Sequence, residues 1–311
     1  MKLTRITNHT HRTENNASYR MKHTQMKQLV ATATLVLAAA VGASAHEHLA
    51  AGANSTTPGS PLIFVNAADY ATDSGYVFNL GADAPGSPYD GWYYTADLVF
   101  EALAATPAYG GPEAQAAAIG SHIEIILETA GGPRGATLGF WETLQNGVDS
   151  TNLTWTVPIG LTNGTKHIVV SETDGSPSAD PYGHIHGRIY SVDKPGLYTV
   201  GFRYVDASTN GPGGGPIQIP SDRFYLYFQA GVTIAAISPA TNGVNVTFGA
   251  PSNLPDTGTA PATNYQLEST PTLGPWANWL PAADVVVGDD HMHTLTLPST
   301  DSIGFFRLNT Y

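Results

Sequence analysis

The stretch Ile185-His186-Gly187-Arg188-Ile189-Tyr190-Ser191-Val192-Asp193-Lys194-Pro195-Gly196-Leu197-Tyr198-Thr199-Val200-Gly201-Phe202-Arg203-Tyr204-Val205 decides how the rest of the chain is read. It holds two runs rich in β-branched and aromatic residues, 185–192 and 197–205, separated by a polar turn that ends in Pro195-Gly196. Runs of this composition bounded by turn residues are strand signals. The signal recurs on both sides, at 62–66, 76–80, 93–103, 122–128, 137–141, 153–157, 167–172 and 224–229, with Gly, Pro, Asn and Asp clusters between. Short strands at this spacing predict an all-β fold, a β-sandwich of the immunoglobulin or jelly-roll kind. Only Glu113 to Gly120 reads as a short helix.

The pattern pauses between Ala230 and Pro239, then resumes near 243–248, 264–269, 293–297 and 304–308. The Pro/Thr/Gly-rich residues 249–261 read as a long exposed loop inside this second module. About eighty residues suit a small fibronectin-like sandwich. The expected organisation is a β-sandwich domain over 46–232 and a C-terminal β module over 233–311.

Residues 1–45 read as a secretory leader. Lys22 and Lys27 precede an apolar run from Leu29 to Val41 that ends in Ala43-Ser44-Ala45, a small-x-small cleavage site. The run is too short to span a hydrocarbon core of about 30 Å. Met21 and Met26 are alternative starts. The expected location is therefore outside the cytoplasm of a bacterium: secreted, periplasmic or at the cell surface, with no membrane span in the mature chain.

Six of the 13 Lys/Arg and one of the 25 Asp/Glu lie in that leader, so seven cationic and 24 anionic side chains remain, a balance of −17. Such an acidic domain is a poor partner for nucleic acid or anionic lipid. With no cysteine, an exported fold has neither a disulfide nor a thiolate ligand. Any metal site must use imidazole, carboxylate or main-chain oxygen. There is no Gly-x-Ser-x-Gly elbow and no phosphate loop.

Eight histidines follow the leader, and six form three His-x-His pairs: His46/His48, His184/His186 and His291/His293. On a strand, residues i and i+2 share a face with Cα atoms about 6.6–6.8 Å apart, so two imidazoles can converge on one ion. The second pair follows a carboxylate-rich loop in which Glu172, Asp174 or Asp180 could complete a site or orient an imidazole. Otherwise Asp-Gly and Asp-Pro simply make turns there. If cleavage follows Ala45, His46 becomes the N-terminus, and its amine and imidazole could form the histidine brace of copper monooxygenases acting on polymers.

Residues Gly183 to Phe202, with a His-x-His strand, a turn ending in Pro-Gly and the run Leu197-Tyr198-Thr199-Val200, resemble the choice-of-anchor M domain of bacterial surface-anchored proteins. The opening Ala45-His46-Glu47-His48-Leu49 is similar to the start of that family. The resemblance covers roughly 46–232. It implies zinc or manganese handling outside the cell, alongside a metal-type ABC transporter or another cell-surface component, with His46, His48, His184 and His186 as the residues concerned. Residues 265–269, Trp276, Trp279 and 305–308 resemble the C-terminal β modules of many large secreted bacterial proteins.

The expected function is extracytoplasmic metal capture. Zinc is held by His46, His48, His184 and His186, with copper the second choice and calcium the third should oxygen ligands prevail. The competing classes are a copper oxidative enzyme and a structural or adhesive surface protein.

Overall fold

Tyr198, Val200, Phe202 and Tyr204 are all fully buried, while Arg203 between them reaches an outer face and meets Glu128 at 2.9 Å. That two-residue alternation is what a strand with one face on a core produces. It runs through a computed structural model that describes residues 46–82, 86–142, 153–252, 263–298 and 304–311. The expected leader lies outside these residues, as does much of the 249–261 loop.

The larger body contains β1 (Glu47–Ala53), β2 (Leu62–Phe64), β3 (Val77–Ala82), β4 (Tyr93–Thr95), β5 (Leu98–Ala102), β6 (Ile123–Gly131) and β7 (Thr137–Trp141). It continues with β8 (Trp155–Pro158), β9 (Lys166–Val169), β10 (Gly183–His184), β11 (Ile189–Val192), β12 (Gly196–Asp206) and β13 (Phe224–Ala230). Nine of these strands form a sheet in the order β8-β7-β11-β4-β3-β13-β12-β6-β9, and the other four a sheet in the order β10-β5-β1-β2. The protein is an all-β, sandwich-type fold. Among the described residues no helix is long and apolar enough to cross a membrane.

The small sheet faces the large one through Leu49, Ala51 and Ala53 of β1 and Leu98, Phe100 and Ala102 of β5, all part of one core cluster. Phe100 meets Phe202 and Tyr190 at ring separations of 5.4 and 5.9 Å. Each fully buried side chain of this kind is worth about 1.5–3 kcal/mol. The alternate residues of the small sheet necessarily face outward, and His48 and Glu101 are among them.

Three local expectations are corrected. The run 93–103 is two strands in different sheets: Thr95 Oγ1 accepts from the Asp97 amide at 3.2 Å and helps the chain turn between them. The segment Glu113–Gly120 is not helical. Glu113 exchanges bonds with Ala104, its amide donating to the Ala104 carbonyl and its carboxylate accepting from the Ala104 amide, and the Gln115 carbonyl accepts from Ala53. Long-range partners thus outcompete a local helix, and Ala116 packs with Ala50 and Leu103 on the outer face of the small sheet. Finally, the apparent pause at 230–239 holds a strand.

That strand, β14 (Ile234–Ala240), opens a smaller body with β15 (Gly243–Ala250), β16 (Asn264–Thr270), β17 (Leu280–Pro281), β18 (Val286–Val287), β19 (His291–Pro298) and β20 (Phe305–Thr310). β14 is the edge of a three-stranded sheet, and four of its seven residues, Ala236 to Pro239, are exposed, which hid it from a reading based on apolar runs. The smaller body has its own apolar clusters around Val246, Leu267 and Leu297 and around Phe248 and Tyr265. It meets the larger body where the amides of Val77 and Met292 donate to the carbonyls of Asp290 and Gly75, at 2.7 and 2.8 Å.

Candidate metal centre

β5 is the middle strand of the site, with β1 parallel to it on one side and β10 antiparallel on the other. His184 stands directly opposite Glu101 in that register. Neighbouring strands are about 4.8 Å apart, so β1 and β10 lie roughly 9.6 Å from each other, a gap two imidazoles leaning over β5 can close. They do close it: the His48 and His184 rings are 4.4 Å apart, and so are those of His46 and His186.

Local sequence explains the placement. Asn66 clamps β1 beside the site, its amide nitrogen donating to the His48 carbonyl at 2.8 Å and its oxygen accepting from the Ala50 amide at 2.9 Å. Gly183 lets the chain pass close to Val170, since a Cβ there would lie 1.7 Å from the Val170 carbonyl oxygen. Gly187, at φ +79°, takes a left-handed conformation and ends the extended run after His186. The His-x-His element is therefore the two-residue β10 plus the residues that follow it, shorter than the strand expected over 185–192.

The four ring centroids make a flat square. Its edges are 4.7 Å for His46–His48 and 4.4 Å for the other three, and its diagonals are 6.3 and 6.2 Å. A tetrahedral arrangement would make all six separations equal. The donor atoms divide accordingly into two triads that share one member. His46, His184 and His186 form one, and His48, Glu101 and His184 the other, with ligand atoms in each lying within 4.8 Å of one another. Glu101 Oε2 is 2.8 Å from His48 Nδ1, and Oε1 is 3.8 Å from His184 Nδ1. His184 Nε2 is buried and has no hydrogen-bond partner.

Burial lowers the pKa of His186, and the adjacent His184, His46 and His48 lower it further, against a smaller upward pull from Glu101. The cluster thus favours the neutral form of that imidazole, which is the form that binds metal.

All four histidines expected at the site come together. The three auxiliary carboxylates do not join them. Glu172 Oε1 accepts from the His184 amide at 2.9 Å and so fixes the backbone of that residue. Asp180 is buried and accepts from the amides of Ala105 and Tyr182, both at 3.0 Å. Asp174 caps a turn by accepting from the Ser176 amide. Glu172 and Asp174 line a separate open cleft with His122, His167 and Arg188.

Sequence reasoning missed Glu101. Its signal was a single carboxylate inside the apolar run Leu98-Val99-Phe100-Glu101-Ala102, where a charge has no reason to sit without a partner. The third pair, His291/His293, lies in the smaller body and takes other partners. His291 Nδ1 bonds the Asp289 carbonyl at 2.6 Å, and His293 Nε2 bonds the Asp289 carboxylate at 2.8 Å.

No protein-family model, no curated protein and no solved structure matches the chain.

Proposed function

We propose that this is an exported protein that captures a transition-metal ion, zinc in the first place, on the outer face of its small sheet. The observation that carries the reading is the convergence of His46, His184 and His186 within 4.8 Å, from segments almost 140 residues apart in sequence. Polar side chains that met by accident on a surface would find water or unrelated partners. Here imidazoles stack on imidazoles, and one ring nitrogen is buried without a partner. Three neutral imidazoles with a fourth position for water, carboxylate or a partner's ligand form a donor set typical of zinc. Export, and delivery to a transporter or another component at the cell surface, belong to the same proposal and follow from the leader-type residues 1–45 and the resemblance of 46–232.

Copper(II) is the second reading, favoured by the flat square of rings, because tetragonal nitrogen sites suit that ion. Elemental analysis of the purified protein, followed by zinc-against-copper competition, decides between them. At least one equivalent of zinc, retained through dialysis, is the expected result. Copper displacing it stoichiometrically would select the second reading, and a chain that binds neither metal would overturn both.

A further inference from the structure

We propose that the cluster holds two divalent ions, with the imidazole of His184 bridging them. The inference rests on the metal-binding reading above and deepens it. The two donor triads have only His184 in common, and an imidazole ring offers a nitrogen on each of two edges. Nδ1 faces Glu101 across 3.8 Å. Assigning Nδ1 to the Glu101 and His48 side leaves Nε2 for His46 and His186. That atom is the one buried without a hydrogen-bond partner, a condition rare in folded chains and relieved by a bound ion.

In the second triad, Glu101 already lies near both histidines at separations close to those of a bound ion. Bonds of about 2.0–2.1 Å around a tetrahedral ion separate its donors by roughly 3.3 Å. The contacts of the two Glu101 oxygens, 2.8 Å to His48 Nδ1 and 3.8 Å to His184 Nδ1, bracket that value. A small rotation of one carboxylate would equalise them. With both nitrogens on metal, His184 loses its remaining N–H proton to solvent and becomes an imidazolate. The two ions then sit on the order of 6 Å apart, given those bond lengths and the width of the ring. The imidazolate and the Glu101 carboxylate each place a negative charge between or beside the two cations, which offsets their repulsion.

A single-ion site would use Glu101 differently, as an outer carboxylate that only orients His48. Counting ions separates the two arrangements. The full chain, stripped with a chelator, is titrated with zinc chloride at pH 7.5 and the bound zinc is counted by native mass spectrometry and calorimetry. Two equivalents are expected for the unaltered chain. In Glu101→Gln and in His48→Ala the first equivalent stays and the second weakens by about 100-fold or more, the upper end of what loss of even an outer partner costs. Copper(II) gives an independent readout that does not depend on either variant folding. A bridging imidazolate couples two copper spins antiferromagnetically, so the integrated electron paramagnetic resonance signal falls as the second equivalent is added. One equivalent of zinc in the unaltered chain overturns the two-ion centre and leaves the metal-binding reading standing. Two equivalents that persist in both variants, or two uncoupled copper ions, also overturn it, and no bound metal at all removes both proposals.

Discussion

Three copies of the same tripeptide pattern meet two different fates in this molecule. On the small sheet, His46/His48 and His184/His186 stack ring on ring at 4.7 and 4.4 Å and close into a square. In the smaller body, His291 and His293 part company: the first ring packs on Tyr76 at 5.7 Å and the second on Phe248 at 6.1 Å. Asp289 then takes up a nitrogen of each. The spacing is identical, so spacing alone does not make a site. What differs is topology. β1 and β10 flank one central strand that carries a carboxylate at the right register, whereas β19 has at its side β15, whose Phe248 stands opposite His293.

The largest effect that could break this contrast comes from removing one pair from the square. His184→Ala/His186→Ala takes ligands from both triads and should abolish high-affinity zinc binding in calorimetry. It should also erase the metal-dependent rise in thermal stability, which is about 2.7 kcal/mol for a ligand at 100 times its Kd. Unchanged affinity in that double variant would show that the rings are a polar surface and nothing more.

A smaller effect comes from protons. Imidazole binds metal only when neutral, and its ordinary pKa is about 6.5, so three such ligands should lose roughly 10³–10⁴-fold in affinity between pH 7 and pH 5. The lowered pKa of His186 keeps that ring neutral further into acid than an ordinary imidazole. For the metal-free chain the sign is the same. A histidine whose pKa is lower folded than unfolded contributes stability above the unfolded value, and that contribution disappears as pH falls through the folded one. Acid should therefore lower the melting temperature in a window that opens near pH 6.5. Affinity that stays level to pH 5 would point to oxygen ligands and to calcium.

The smallest effect belongs to the other body. His291→Ala/His293→Ala should leave zinc affinity within about twofold and cost on the order of 1 kcal/mol, the worth of a hydrogen bond or two at a partly exposed position. A marked loss of zinc in that variant would show that the third pair takes part after all.

The sequence made much of the sandwich legible because burial on one face imposes a two-residue period, clear in Tyr198, Val200, Phe202 and Tyr204. It was least legible where long-range bonds decide the outcome. Alanines at 116–118 have the composition of a helix, yet the amides of Ala53 and Ala104 claim the backbone and side-chain oxygens of Gln115 and Glu113. β14 was hidden because an edge strand with exposed middle residues lacks an apolar run. At the site the histidines could be named from their pairing, but their partner could not. Glu101 becomes visible only when the register of β5 against β10 is known, and Asp180 had a turn-making role that the sequence left open.

Gly183 sets how this site can change over time. With the Val170 carbonyl standing where a side chain would begin, even one methyl group at 183 would push β10 outward and carry His184 with it. The imidazoles themselves can be exchanged for other donors of similar reach without moving any backbone. Mutational drift at this corner of the molecule is therefore lopsided: the chemistry of the donors is open to tuning, while the hydrogen atom beside them is fixed, and the least conspicuous residue of the motif tolerates the least.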